Sequence, residues 1–172
     1  MPDTNIRMFM LTQDQLKELL HYEPATGVFT WRKNRTKSAL AGTKAGTATK
    51  GGYVAIKVYG RRYTAHRLAW LYCYGKWPQK GIDHKDGDPA NNQLSNLREA
   101  DQSQNNQNAR KARSNTSGYK GVTRTDYGTW KASIMLNRRI KYLGSFKTPE
   151  EAYKAYLAAK PIYHPFQPTD RA

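Results

Sequence analysis

Acidic side chains are scarce in this sequence: 13 Asp and Glu stand against 29 Lys and Arg, a formal net charge of +16 on 172 residues and a pI near 10.0. So large an excess implies a polyanionic partner. Nucleic acid is the commonest, because phosphates recruit Lys and Arg and binding releases condensed counterions. Cysteine is nearly absent as well. Cys73 stands alone, so no internal disulfide can form, and the CxxC pairs of a structural zinc site are excluded. It sits in the apolar run Leu68-Ala69-Trp70-Leu71-Tyr72-Cys73-Tyr74 and reads as core filler. Long apolar runs are missing too. No stretch is long enough to cross a bilayer and no charged-then-apolar leader opens the chain, which sets the expectation of a cytosolic protein with no membrane partner.

The positive charge is spread along the chain. Residues 1–113 carry 19 basic and 9 acidic side chains and residues 114–172 carry 10 and 4, so the two parts hold +10 and +6. A chain of 172 residues has room for two small domains, each with a modest core. The small, polar and basic stretch from Ala109 to Ser117 reads as the linker between them. The expected boundaries are a first domain at 1–108, a linker at 109–117, a second domain at 118–160 and an irregular tail at 161–172, where Pro161, Pro165 and Pro168 fall.

Local patterns fill in the first domain. Apolar residues at Leu11, Leu16, Leu19 and Leu20, with Thr12 as a cap and Pro24 and Gly27 as stops, predict a short helix over 11–22. Val28-Phe29-Thr30-Trp31 is a brief extended piece, and Asn34 to Lys50, rich in Lys, Thr, Gly and Ala, is a loop suited to touching DNA. Side chains alternate over 53–58 and 61–64 around Tyr59-Gly60, the pattern of a hairpin. His66 opens an apolar helical stretch to about Tyr74, and a further helix is expected from about Ala100 to Arg113.

The chemistry lies in Ile82-Asp83-His84-Lys85-Asp86-Gly87-Asp88, then Asn91-Asn92, Asn96-Leu97-Arg98 and Gln104-Asn105-Asn106. Hydrolysis of a phosphodiester needs a water nucleophile, a base to deprotonate it and a cation to neutralise charge gathering on the phosphate and the leaving oxygen. Asp83 and His84 in tandem can supply two of these. On a strand adjacent side chains point to opposite faces, so the pair reaches one site only if the strand bends or the following loop folds over. A helix bearing Asn105 can close the site with a carboxamide oxygen, and such oxygen donors, with waters, suit Mg²⁺ or Mn²⁺. Read alone, Asp86-Gly87 is ordinary turn chemistry. An EF-hand is excluded, since Asp86-Gly87-Asp88 lacks both the required Gly and the closing bidentate Glu.

These residues resemble the HNH homing endonucleases of bacteriophages, and His66-Arg67-Leu68-Ala69-Trp70 looks like the helix that precedes the motif in that group. The resemblance covers most of residues 10–110. It implies a ββα-metal (His-Me finger) fold in which His84 is the general base, Asp83 and Asn105 ligate one divalent cation, Mg²⁺ or Mn²⁺, and Asn96 ties the loop of the hairpin together. The family pattern often has His where Asn105 stands, a departure that bears on metal preference. His66 reads as a DNA contact, a support for the active site, or a structural residue at a helix start. Arg67 is grouped with it as a DNA contact.

Beyond the linker, Gly118 to Lys160 gives three strand-like runs and a helix beginning at Pro149 with Glu150 and Glu151 at its positive end. Tyr119-Lys120-Gly121-Val122, Trp130, Leu143-Gly144-Ser145-Phe146 and Glu150-Glu151-Ala152 resemble the AP2 domain of plant transcription factors and phage endonucleases. That implies a three-stranded antiparallel sheet with one face on a helix and the other in the DNA major groove. Trp130, Ile134, Leu143 and Phe146 read as core. DNA contacts are expected from Arg110, Lys111 and Arg113 in the linker and from Lys120, Thr123, Arg124, Thr125, Tyr127, Lys131, Ser133, Arg138, Arg139, Lys141 and Tyr142 in the module. The plant domain reads bases with Arg and Trp where this chain has Thr123, Thr125, Tyr127, Ser133 and Met135, so the plant target does not carry over.

The expectation is thus an α+β, two-domain, metal-dependent endonuclease of phage homing type. It acts on double-stranded DNA in the bacterial cytoplasm, with a monomer favoured. Its rival is a DNA-binding regulator with an inactive nuclease domain, against which stands the presence of Asp83, His84 and Asn105 together.

Overall fold

Thr12 caps the first helix, α1 (Gln13–Leu19), through a reciprocal capping box with Gln15 that satisfies two otherwise orphaned backbone N–H groups. The helix was expected to run to Tyr22, but the chain turns extended at Leu20. Strand β1 (Leu20–Glu23) alternates buried and exposed side chains and pairs antiparallel with β2 (Val28–Trp31), setting Leu20 opposite Trp31 and Tyr22 opposite Phe29. Pairing buries Tyr22 and Phe29 with their rings 4.7 Å apart. Two strand residues thus enter the core where a continuing helix would have turned one of them outward.

The computed structural model describes residues 10–37, 39–108, 111, 114–136, 138–167 and 169–170. The chain divides into two units, residues 1–99 and 100–172. In the first, β3 (Thr47–Ala48), β4 (Val54–Val58) and β5 (Arg61–Thr64) form an antiparallel sheet in that order. Tyr59 and Gly60 join β4 to β5 with φ of 47° and 79°, the left-handed pair that a two-residue hairpin loop requires. Helix α2 (Ala65–Tyr74) follows and stops at Gly75, whose φ of 72° supplies the left-handed cap. Strand β6 (Gly81–His84) pairs with β7 (Leu97–Ala100), and a single 3-10 turn, Leu94–Asn96, lies between them. The core is built on Leu16, Leu20, Tyr22, Phe29, Ile56, Val58, Leu68 and Leu71, all 2% exposed or less. Each contributes about 1.5–3 kcal/mol of burial.

The second unit starts with α3 (Gln102–Gln107), capped by an Asp101–Gln104 capping box. This helix is shorter than the expected 100–113 because QSQNNQ has no apolar stripe to bury. It groups with the carboxy-terminal unit, so the division falls at 99/100 rather than within 109–117. Strands β8 (Val122–Arg124), β9 (Trp130–Leu136) and β10 (Arg139–Phe146) form an antiparallel sheet with β9 central and a register shift between Tyr142 and Gly144. Helix α4 (Pro149–Tyr163) covers one face, burying Ala152, Tyr156 and Ala159 with Val122, Ala132 and Ile134. Gly121 is obligatory in this packing: its φ is 74°, and a Cβ there would sit 2.2 Å from the Tyr156 ring.

The expected tail differs from what forms. Helix α4 runs through Pro161 to Tyr163, and fully buried Lys160 donates to the Thr169 carbonyl at 2.5 Å and pairs with Asp170 at 3.3 Å. Among the described residues no helix is long and apolar enough to cross a membrane.

Candidate active site

Strand β6 ends in Asp83 and His84, 6% and 5% exposed. Their partners come from different directions, as alternation along a strand dictates. Asp83 Oδ2 accepts from Arg98 on β7, at 2.9 Å from Nε and 2.8 Å from Nη2, so this buried carboxylate is neutralised by a fork-shaped cation on the neighbouring strand. His84 Nε2 lies 3.3 Å from Asn92 Oδ1.

Asn92 is 2% exposed and its carboxamide orientation is set by its own donor, since Nδ2 donates to the Ala90 carbonyl at 3.0 Å. The oxygen therefore faces the imidazole, which must present Nε2–H to it. That tautomer leaves the lone pair on Nδ1, the nitrogen able to take a proton. The backbone of Asn92 is held just as firmly. Its carbonyl accepts from the Tyr22 hydroxyl at 2.7 Å, the Leu94 N–H donates to the Pro24 carbonyl at 3.0 Å, and Gly27 packs directly on the Asn92–Gln93 peptide. A Cβ on Gly27, whose φ is 73°, would lie 2.3 Å from the Asn92 carbonyl carbon. The turn between β1 and β2 thus acts as a brace for the loop.

Asn96 closes that loop from the other side. Its Oδ1 accepts the Asp86 N–H at 3.0 Å, and its Nδ2 donates to Asp86 Oδ1 and to the Asn91 carbonyl, both at 2.9 Å. Burial pushes the Asp86 carboxyl upward, but hydrogen bonds from the Asp88 backbone, Asn96 and Asn91, with the nearby His84, outweigh it and hold the group below its ordinary 3.8. Lys85 N–H donates to the Asn96 carbonyl at 2.9 Å, which ties the two ends of the loop.

His66 was grouped with the DNA contacts, yet it is 8% exposed and its ring packs against that of His84. Arg67 stacks its guanidinium over the Trp77 ring at 5.7 Å. Asn105 lies exposed on α3 in the second unit, whereas Asp83, His84 and Asn96 come together in the first. Asn92, Tyr22, Gly27 and Tyr53 were given no role from the sequence. Only the Asn91-Asn92 run hinted at one, because the rest approach the site from distant parts of the chain. Among the described residues no group of three or more His, Cys, Asp or Glu side chains gathers to hold a metal ion. The buried Asp83 carboxylate is nevertheless the hard oxygen donor that Mg²⁺ or Mn²⁺ takes, and Mg²⁺ commonly keeps several waters beside one or two carboxylates.

Each unit also carries a basic surface. In the first unit Trp31, Arg35, Lys57 and Arg62 line a cavity of about 510 Å³, with the Arg35 guanidinium 5.0 Å above the Trp31 ring. Lys57 stands directly opposite Arg62 across β4 and β5, a like-charge pair that disfavours the free sheet. In the second unit, strand register puts Thr123, Lys131, Ser133 and Tyr142 on the sheet face away from α4. Arg124, Arg139 and Lys141, expected as DNA contacts, pair with Trp130, Leu136 and Ile134 and so lie on the helix side of the sheet. Arg124 sits 5.9 Å over the Trp130 ring and Lys141 sits 4.6 Å over that of Tyr163. Tyr127 and Arg138 are exposed at the two turns, Thr125 bonds Thr129, Lys111 donates to the Gly118 carbonyl at 2.7 Å, and Lys120 donates to that of Gln107. Arg110 and Arg113 lie outside the described residues.

A buried Asp–His tandem on a strand, fixed by a carboxamide-laced loop, is an arrangement able to carry hydrolytic chemistry. Residues 63–107 match the family model described as HNH endonuclease. The chain thus carries an HNH endonuclease segment, and its enzymatic class is that of a nuclease. No curated protein matches the chain. Among solved structures, "DNA binding and cleavage by the HNH homing endonuclease I-HmuI" is similar over 85% of this chain and 85% of that one, at 20% identity and a TM-score of 0.40.

Proposed function

We propose that this protein is a metal-dependent endonuclease that hydrolyses phosphodiester bonds in duplex DNA, with His84 as general base acting through Nδ1. The observation that carries this is the Asn92 carboxamide: locked by the Ala90 carbonyl, it presents an acceptor to His84 Nε2 and selects the tautomer a base needs. Asp83 would hold the divalent ion. When bound, that ion neutralises charge developing on the phosphate and the leaving oxygen. Arg98 holds Asp83 in place and offsets its charge, while Asn96 and Asn92 keep the loop from shifting the base.

DNA is favoured as substrate by the surfaces as much as by the site. A phosphate backbone would relieve the like-charge Lys57–Arg62 opposition, and the cavity beside it offers a guanidinium already oriented by Trp31. The second unit, a sheet backed by one helix, is proposed to be AP2-like and to grip DNA through Lys131, Ser133, Thr123 and Tyr142. The phage homing role, the cytoplasmic location and the monomeric state rest on the sequence reading. A plasmid-nicking assay tests the proposal. Wild type should nick with Mg²⁺ or Mn²⁺ and stop with EDTA, and His84→Ala should lose about 10²–10⁴ in rate while binding DNA nearly as well. A His84→Ala enzyme within tenfold of wild type would remove the general-base assignment.

A further inference from the structure

Asn92 meets His84 at Nε2, and a histidine ring pivots readily about its broad χ2. Rings packed against the imidazole restrict that pivot and so bear on where Nδ1 points. His66, the second residue of α2, stands edge-on to His84 with centroids 5.1 Å apart and planes at 90°. Tyr53 backs both rings, 5.4 Å from that of His66 and 6.0 Å from that of His84. The His66 ring is itself pinned, with Nε2 3.1 Å from Thr64 Oγ1 and Nδ1 buried without a hydrogen-bond partner. Burial first, then His84 and Arg67, push its pKa to about 4, so near neutrality it is an uncharged ring. Buried and uncharged, it has little to offer a phosphate.

We propose that His66 is a positioning residue for cleavage: its ring, anchored by Thr64 and backed by Tyr53, fixes the rotamer of His84. This rests on His84 being the general base. Misplacing a catalytic group by an ångström can cost about a hundredfold in rate. His66→Ala in the full chain should therefore lower kcat for plasmid nicking by about 10–100-fold with KM for DNA little changed. His66→Phe keeps the ring and should recover most of the loss.

A second readout does not depend on cleavage. In a long-range ¹⁵N–¹H spectrum of the metal-free full chain, wild-type His84 should show one tautomer protonated at Nε2. His66→Ala should average its two nitrogens, and His66→Phe should restore the single form. Should His66→Ala prove unstable, the Phe variant and the spectrum still decide. The proposal is overturned if His66→Ala cleaves like wild type, or if KM rises while kcat holds, which would make His66 a DNA contact. It is equally overturned if the Phe variant is as impaired as Ala while the His84 signals stay unchanged. His84→Ala separates the two readings: an active His84→Ala removes the base and this proposal with it, whereas an inactive His84→Ala beside a fully active His66→Ala removes only this proposal.

Discussion

Replacing Asn96 with alanine tests whether the loop after β6 is held by one side chain. Asn96 is 8% exposed and makes three hydrogen bonds, one from the Asp86 N–H and two to Asp86 Oδ1 and the Asn91 carbonyl. At about 1 kcal/mol each the loss is about 3 kcal/mol, equivalent to about 6–12 °C in Tm for a chain of this size. The effect should depend on pH in a definite sense. The Asp86 carboxyl is held below 3.8 in the fold, so its stabilisation is present above that pH and disappears as pH falls through the lowered value. Asn96 supplies part of that depression, so the Tm gap between wild type and Asn96→Ala should narrow on moving from pH 7 to below about pH 3. Thermal melts followed by circular dichroism at both pH values measure this, and nicking at pH 7 should fall at least about tenfold as the base loses its seat. A gap under about 2 °C at pH 7, or one that stays constant on acidification, would refute the reasoning.

Gly27→Ala forces a Cβ to 2.3 Å from the Asn92 carbonyl carbon at a left-handed φ, and should lower both Tm and cleavage, a loss of more than about 2 kcal/mol by denaturant titration. Arg98→Leu leaves the Asp83 carboxylate buried without its cation and should destabilise by about 3–5 kcal/mol. Asp83→Ala should abolish metal-supported nicking, checked across a Mn²⁺ titration; undiminished activity would discard Asp83 as a ligand. Lys131→Ala should reduce the slope of log affinity against log salt by about 0.9, and Arg124→Ala should leave it unchanged. Equal effects from the two would contradict the facing assigned by the strand register.

Elements with one unambiguous period were legible. The 53–64 hairpin and the helix from His66 came directly from alternation and from an apolar stripe. Leu19-Leu20 fits either a helix or a strand, and only pairing with Val28–Trp31 decides. The helix predicted to reach Arg113 stops at Gln107, because polarity without a buried face does not sustain one. In the candidate site, the nearness of Asp83, His84 and Asn96 was legible because they share one motif. Tyr22, Gly27, Tyr53 and the His66–His84 packing were not, since residues this far apart in the chain meet only through the tertiary fold. The side of the sheet that Arg124 and Lys141 take was not legible for a related reason: it is set by register with Trp130 and Ile134.

The turn braced against Asn92 bears on what can be cut out and reused. The segment that matches the HNH endonuclease family begins at residue 63, and it contains His84, Asn92 and Asn96. The Tyr22 hydroxyl, the Pro24 carbonyl, Gly27 and Tyr53 all lie upstream of it. Residues 63–107 grafted into another scaffold would import the reacting groups without the parts that orient them. A transplantable cassette would have to start at or before Leu11, where the core supporting β1 and β2 begins.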